Sequence, residues 1–521
     1  MMIVTAAAAR GLQLADWVIV GVYAMSTIGL GLWFARKQKS TQEYFIGSGN
    51  MNWLLIGVSL FATLLSTITY LSTPGEIIGK GPADLVKLLS LPIVYLVVGY
   101  VLLPVYMRQR VTSAYELLES KLGLSTRLLG VAMFLALRLV WMSVLIYMAA
   151  KAMVVMMGVK ESSIPWIVVA TGAVSIVYTS LGGLRAVVIT DLVQTVLLFG
   201  GALLVLAIAT VDAGGLHWIP TEWHPQWDTQ PVYSFDPRTR ITMVGSLLSL
   251  GTWFICTSGG DQVSIQRFMA TKDARAARRS FATQLVVNAT VTLTLGLVGL
   301  ALLYFYQNNA HLLPKDFSLR ADADDVFPMF IAYQLPAGVS GFVVAAMFAA
   351  GMSSIDSGVN SITAVVVTDL LDRFDIRPRT ERGHVWLARG LAVAVGTIVV
   401  VGSLQVGSIE GNFFAVTNKT VNLLVPSIFC LFFFALFVPF ANKPGVWIGW
   451  FFGVTTAALI AFSGEIFGFY EIVDGRTNEV IDKLAPVSFQ WTGPASLAVN
   501  LIVGTIACRL FHVGKRVPTR V

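Results

Sequence analysis

Apolar stretches long enough to cross a bilayer recur along this chain with only short polar connections between them, and that recurrence limits the fold more than any motif does. A helix rising ~1.5 Å per residue needs about 20 apolar residues to cross the hydrocarbon core. About thirteen runs meet that length, beginning near Leu14, Asn52, Leu85, Leu128, Ile164, Ala186, Ile241, Phe281, Gly338, Val385, Phe413, Pro444 and Pro494. Lipid offers the backbone no hydrogen-bonding partner, so such runs are expected to be helical. Only 12% of the residues are charged, about half the share in a soluble domain. The expected class is an all-α polytopic membrane protein, one transmembrane domain over 1–521 with no soluble domain. Leu14 to Ala35 is followed directly by Arg36, Lys37 and Lys39, the pattern of a retained first helix rather than a cleaved leader.

Cytoplasmic loops concentrate Lys and Arg, and alternate connections here do so: Arg36/Lys37/Lys39, Arg108/Arg110/Lys121/Arg127, Arg185, Arg267/Lys272/Arg275/Arg278/Arg279, Arg373/Arg377/Arg379/Arg382, Lys443, and the tail Arg509/Lys515/Arg516/Arg520. The other set is poorer in cations and holds the acidic stretches 316–325 and 465–482. An odd number of spans then puts the N-terminus outside and the C-terminus in the cytoplasm of a cell (inner) membrane. The same bias explains the formal charge of +7 without nucleic acid. Cys256, Cys430 and Cys508 lie in apolar runs, and the five histidines fall in loops or at span ends. Neither a disulfide framework nor a zinc site is suggested.

Two spans are unusual. The run from Phe342 to Asp369 carries Ser353, Ser354, Asp356 and Ser357 near its middle. A carboxylate at that depth costs roughly 2.5 to 3.5 kcal/mol, so it faces protein, water or an ion rather than lipid. Ser353 and Ser357 are a helical turn apart, which clusters oxygens toward one side and suits a small hard cation. Serines that merely pack or bond back to the previous turn are the plainer alternative. The second span, Ser59 to Glu76, grows polar toward its outer half and ends in Pro74-Gly75. Proline there removes an amide donor and disfavours helix at Thr73. Backbone carbonyls exposed by a break at membrane depth can hold a coupling ion; an ordinary proline-ended helix is the alternative.

Several short motifs resemble the sodium:solute symporter family over about Trp17 to Phe440. They are Glu43-Tyr44-Phe45-Ile46-Gly47, Ser59-Leu60-Phe61-Ala62, Tyr115-Glu116-Leu117-Leu118-Glu119, Tyr178-Thr179-Ser180-Leu181-Gly182-Gly183-Leu184-Arg185-Ala186-Val187 with Thr190-Asp191, Gln262 with Gln266-Arg267, and the Ser353-Ser354 helix. The resemblance implies a LeuT-like 5+5 inverted repeat: residues 52–210 and 239–440, with an extra N-terminal helix (14–36), extra C-terminal helices (444–510) and a cytoplasmic tail (511–521). It implies a sodium ion held by the carbonyls of Ala62, Leu65 and Ala350 and the hydroxyls of Ser353 and Ser354. It also implies a second sodium site at Asp191, Ser353, Asp356 and Ser357, where Asp356 stands in place of the serine some relatives carry. For Asp191, an interfacial carboxylate near Arg185 is the alternative. The expected activity is symport of sodium with a small organic solute by a monomer using alternating access, with no covalent chemistry.

The solute is read from buried charge. Arg138 lies about three turns into the fourth span and Lys419 about two turns into the eleventh. A charge held in hydrocarbon wants a partner, and arginine can grip a carboxylate with two parallel bonds. Thr73-Pro74-Gly75-Glu76 and Gly259-Gly260-Asp261-Gln262 also resemble the family branch that carries monocarboxylates, iodide and anionic vitamins, and that resemblance implies a monocarboxylate or other small anion, contacted by Thr69, Tyr70, Arg138, Trp253, Thr257, Asp261, Asn418 and Lys419, with Trp141, Tyr147 and Phe254 as further walls. Two plainer fates stay open: a salt bridge from Arg138 to Asp261 or Asp191, and snorkelling of Lys419 to the outer surface. A sodium/sugar symporter and a proton-coupled amino-acid transporter of the same fold are the alternatives within transport. An intramembrane enzyme would have only Asp191 with Asp356 as a catalytic pair, and a sensor would lack a signalling domain.

Overall fold

The computed structural model describes residues 11–35, 45, 49–65, 67–109, 111, 113–228, 231, 233–315, 317–376, 378–406, 419, 421–473 and 480–512. The regular structure of the described residues is helical apart from one antiparallel hairpin, Tyr470–Val473 with Val480–Leu484. In chain order the helices are α1 (Leu14–Ala35), α2 (Trp53–Leu64), α3 (Thr67–Lys80), α4 (Pro82–Gln109), α5 (Glu116–Leu122), α6 (Leu124–Met157) and α7 (Ile164–Asp212). They continue as α8 (Met243–Gly260), α9 (Gln262–Met269), α10 (Ala274–Asn308), α11 (Ala323–Tyr333), α12 (Val339–Val365), α13 (Glu381–Ser403), α14 (Val425–Phe437), α15 (Lys443–Ala461) and α16 (Thr492–Leu510). Among the described residues ten helices are long and apolar enough to span a membrane, and α2 with α3, bent by 60°, makes an eleventh. Of the remaining two expected spans, the one beginning near Ile241 falls on α8, which the polar residues Ser246, Ser249, Thr252, Thr257 and Ser258 dilute, and the one beginning near Phe413 starts outside the described residues, which hold only α14 of it.

Helix breaks give the fold its character. Leu65 leaves α2 in an extended conformation (φ −82°, ψ 123°), so peptide groups at the break lose their helical partners. The break therefore lies at Leu65 and not at Pro74, which sits inside α3. Thr73 there bonds back to the Thr69 carbonyl (2.8 Å), and a Cβ on Gly299 of α10 would fall 2.8 Å from the Pro74 carbonyl. A close-packed neighbour thus supports the turn that the proline weakens. Gly183 is the second break. Its φ of 59° and ψ of −176° suit glycine almost alone, and they cut α7, whose 49 residues would otherwise run about 73 Å, into two spans with no loop between them. The third break, at Asp261 (φ −98°, ψ 123°), separates α8 from α9. Gly259 and Gly260 permit it, because a Cβ on Gly260 would meet the Phe429 backbone of α14 at 2.7 Å.

Around these breaks the chain packs on α12, whose apolar window is 83% buried against 22% for peripheral α1. α7, α1, α6, α13 and the broken pair α2/α3 surround it. A Cβ on Gly351 of α12 would approach Thr67 Oγ1 to 2.5 Å, so a small residue lets the start of α3 lie directly against the serine-bearing turn. α15 and α16 pack mainly on each other through Gly445, Gly449, Gly453 and Gly504 at one edge.

Candidate functional site

Ser354 of α12 donates to the carbonyls of Thr63 (3.1 Å) and Leu65 (3.2 Å). The serine helix and the interrupted helix therefore meet, as expected, through hydroxyl and carbonyl oxygens. Ala62 and Ala350 are buried on the same two segments. Ser353 turns instead to Asp191, donating to Oδ1 at 2.5 Å. Carbonyls released by a break beside a serine pair suit a hard monovalent cation that takes oxygen ligands. Among the described residues no group of three or more His, Cys, Asp and Glu could hold a metal, so the donor chemistry here is mostly that of neutral oxygen.

One turn along α12 lies a charged cluster. Asp191 Oδ2 accepts from Ser59 (2.5 Å) and from Arg267 (3.4 Å). Arg267 also donates to Ser59 (2.8 Å), to Ser357 (2.5 Å) and to the Val263 carbonyl (3.2 Å). Ser357 shares a hydrogen bond with Thr63 (2.9 Å) and donates to Asp356 (3.2 Å). The other Asp356 oxygen accepts from the Tyr178 hydroxyl (2.6 Å). All four residues expected at a second ion site thus sit in one cluster with Ser59, Thr63, Tyr178 and Arg267. Asp191 is no interfacial carboxylate of Arg185. Arg267, grouped above with the basic loop, is wholly buried. Its family motif was visible in Gln266-Arg267, but its place in the ion cluster was not.

Beside the break a cavity of about 150 Å³ runs from Thr63 and Leu65 past Arg138, Trp141 and Trp253 toward Asp84, Lys87 and Gln490. Of the expected solute contacts, Thr69, Arg138, Trp253, Thr257 and Asp261 line it. Tyr70 does not: it is fully buried, donates to the Leu198 carbonyl (3.4 Å) and packs on Phe327. Phe254 and Tyr147 also lie outside the lining. Lys419 reaches Glu465 (3.2 Å), an acidic-loop partner, instead of the cavity. Asn418 falls outside the described residues, while Asn422 lines the cavity. Arg138 is ion-paired to Asp261 and Lys87 to Asp84, so the wall carries two charges of each sign, matched in pairs. Arg138 Nε and Thr257 Oγ1 are buried without a hydrogen-bond partner, an expensive state unless something polar meets them.

At the basic end, α5, α6 and the segment after α12 are laced together. Arg127 pairs with Glu119 and Asp369 (both 2.7 Å), Arg373 pairs with Glu119 (2.6 Å), and Ser113 bonds Asp369. Hydrogen bonds from Arg373, then from Arg127, hold the Glu119 carboxyl down at about 2. At the opposite end Arg240 grips both oxygens of Glu76 (2.6 Å each) and reaches Asp228 (3.3 Å), which also pairs with Arg320 (3.1 Å).

A sequence model of the sodium:solute symporter family matches residues 44–453. The chain belongs to the sodium:solute symporter family. The sodium/sialic acid symporter of Proteus mirabilis is 26% identical over 89% of this chain and 93% of its own length. The human sodium-coupled monocarboxylate transporter 1 is 26% identical over 87% of this chain and 74% of its own. Among solved structures, an outward-open, substrate-bound Na+-coupled sialic acid symporter superposes with a TM-score of 0.78 at 22% identity, covering 96% of this chain and 98% of that one. The nucleobase-cation-symport-1 transporter Mhp1 follows the same fold more loosely, with a TM-score of 0.52 at 11% identity over 90% of this chain and 94% of that one. This family member is therefore an all-α, multi-pass, LeuT-like membrane protein and a sodium-coupled solute symporter rather than an enzyme.

Proposed function

We propose that this symporter imports a small organic anion, a monocarboxylate or a sugar acid, by alternating access. The observation that carries the reading is Arg138, a buried guanidinium in the cavity wall with its Nε unpartnered. Relatives named for sialic acid, monocarboxylates and iodide support an anion. Sodium is held by the carbonyls of Ala62, Leu65 and Ala350 with Ser353 and Ser354, and a second sodium by Asp191, Ser353, Asp356 and Ser357. The breaks at Leu65 and Asp261, each in the first helix of its repeat, support an inverted pair over 52–210 and 239–440. The protein works as a monomer in the cell (inner) membrane, with its N-terminus outside and its basic loops in the cytoplasm.

The mechanism follows from linkage. Sodium joining α12 to the interrupted helix favours one arrangement of the two, and that arrangement shapes the cavity wall at Thr63, Leu65 and Thr69. Ion and solute then raise each other's affinity by the same factor. Each inward sodium supplies about 2.3 kcal/mol per 100 mV of membrane potential and about 1.4 kcal/mol per tenfold concentration ratio.

Uptake into proteoliposomes over a panel of lactate, nicotinate, N-acetylneuraminate, glucose, proline and pantothenate, with sodium or choline at constant pH, tests the reading. Sodium-dependent uptake of one of the anions is expected. Uptake of glucose alone would replace it with the sugar reading, which the balanced Arg138–Asp261 pair favours. Equal uptake of proline in choline would point to proton coupling.

A further inference from the structure

The eight residues of α9 join the cavity to the ion cluster. Asp261, at its N-terminus, pairs with Arg138 through one oxygen and caps the Val263 N–H (3.0 Å) through the other. Arg267, near its C-terminus, holds Ser59, Ser357 and Asp191. Between them Gln262 accepts from the Ala114 N–H (2.8 Å) and Gln266 accepts from Ser361 (2.8 Å). Every residue from Asp261 to Arg267 is buried. The helix therefore sits in the membrane by virtue of polar partners, and it hangs from α8 at Gly259-Gly260.

The oxygens that Arg267 engages on Asp191 and Ser357 are among those proposed above for the second sodium. Two unit charges about 4 Å apart repel enough, at an effective dielectric near 20, to weaken binding roughly a thousandfold. Sodium and this guanidinium therefore compete for the same oxygens. We infer that α9 couples the second cation to the solute: the cation displaces the Arg267 guanidinium, α9 shifts about the Gly259-Gly260 step, and Asp261 withdraws from Arg138, which is then free for an anion. The inference rests on the proposed two-sodium symport. It makes Arg267 a positioning residue and the Arg138–Asp261 pair a restraint that the ion releases.

Coupling is reciprocal. Breaking the Arg138–Asp261 pair in advance therefore lets the cation displace Arg267 more easily. The full-length protein in nanodiscs is titrated with radioactive sodium alone, with no solute present. Two binding phases are expected, and Asp261→Asn lowers the half-saturating sodium of the weaker phase by about fivefold or more. Arg138→Gln does the same, their combination adds nothing further, and Asp261→Glu, which keeps the pair, leaves the phase in place. A purely structural role for the pair would leave that phase unmoved or weaken it, and either result in both single variants overturns the relay. A single phase in the parent protein overturns it too, while absence of any saturable sodium binding sinks the symport reading itself.

Discussion

The two interrupted helices on either side of the cavity are broken in different currencies. At Leu65 the break exposes neutral carbonyls that meet the Ser354 hydroxyl. At Asp261 the break places a carboxylate and, two turns on, a guanidinium, each already matched to a partner of opposite sign. A neutral oxygen cage gains its charge only when an ion arrives, so it can empty cheaply. A buried pair leaves an uncompensated charge whenever one member goes. The first break is thus suited to binding an ion, and the second to holding its place until a competing charge arrives.

Removing charge from the second break should have the largest effect. Arg267→Leu leaves Asp191 without its cation and is expected to cost about 3 to 5 kcal/mol, seen as loss of monodisperse protein on size-exclusion chromatography. Ser354→Ala, at the first break, should leave the fold intact while raising the sodium concentration for half-maximal uptake about tenfold, equivalent to about 1.4 kcal/mol. Equal damage to folding from both substitutions would erase the contrast.

Packing sharpens the contrast at smaller scale. Gly260→Ala drives a methyl into the Phe429 backbone at 2.7 Å, and overpacking of that kind costs about 1 to 3 kcal/mol. Gly351→Ala meets only the Thr67 hydroxyl, which can rotate away, so its melting temperature should fall less. The smallest effect belongs to Glu119. Its carboxyl is held at about 2 against an ordinary 4.5, so its contribution to stability is present above about pH 4.5 and is lost as pH falls toward 2. The melting temperature of Glu119→Gln should lie below the parent's at pH 7, only slightly because the group is close to solvent and screened, and converge with it as pH approaches 2.

Most span positions, the existence of a break in the second span and the Ser353-Ser354 turn were legible because each is written in local pattern: run length, a shift from apolar to hydroxyl residues, and oxygens a turn apart. Arg267 was not. Followed by Lys272, Arg275, Arg278 and Arg279, it reads as one more loop cation, and the partners that make its burial tolerable lie 208 and 76 residues away at Ser59 and Asp191. α9 escaped for the same reason, being too short and polar to register as a membrane element. Pro74 misled because a proline weakens a helix only where neighbours do not support it. Lys419 sits deep in its apolar run, yet Glu465 draws it outward.

Gly183 separates the helix that carries Tyr178 from the helix that carries Asp191, with no connecting segment to absorb movement. Tyr178 is clasped to Asp356 and Asp191 to Ser353, so the two half-helices grip the same turn of α12 from either side of one residue. A tilt of either half-helix about Gly183 would strain one of these two grips, like the jaws of a caliper closed on a single rod.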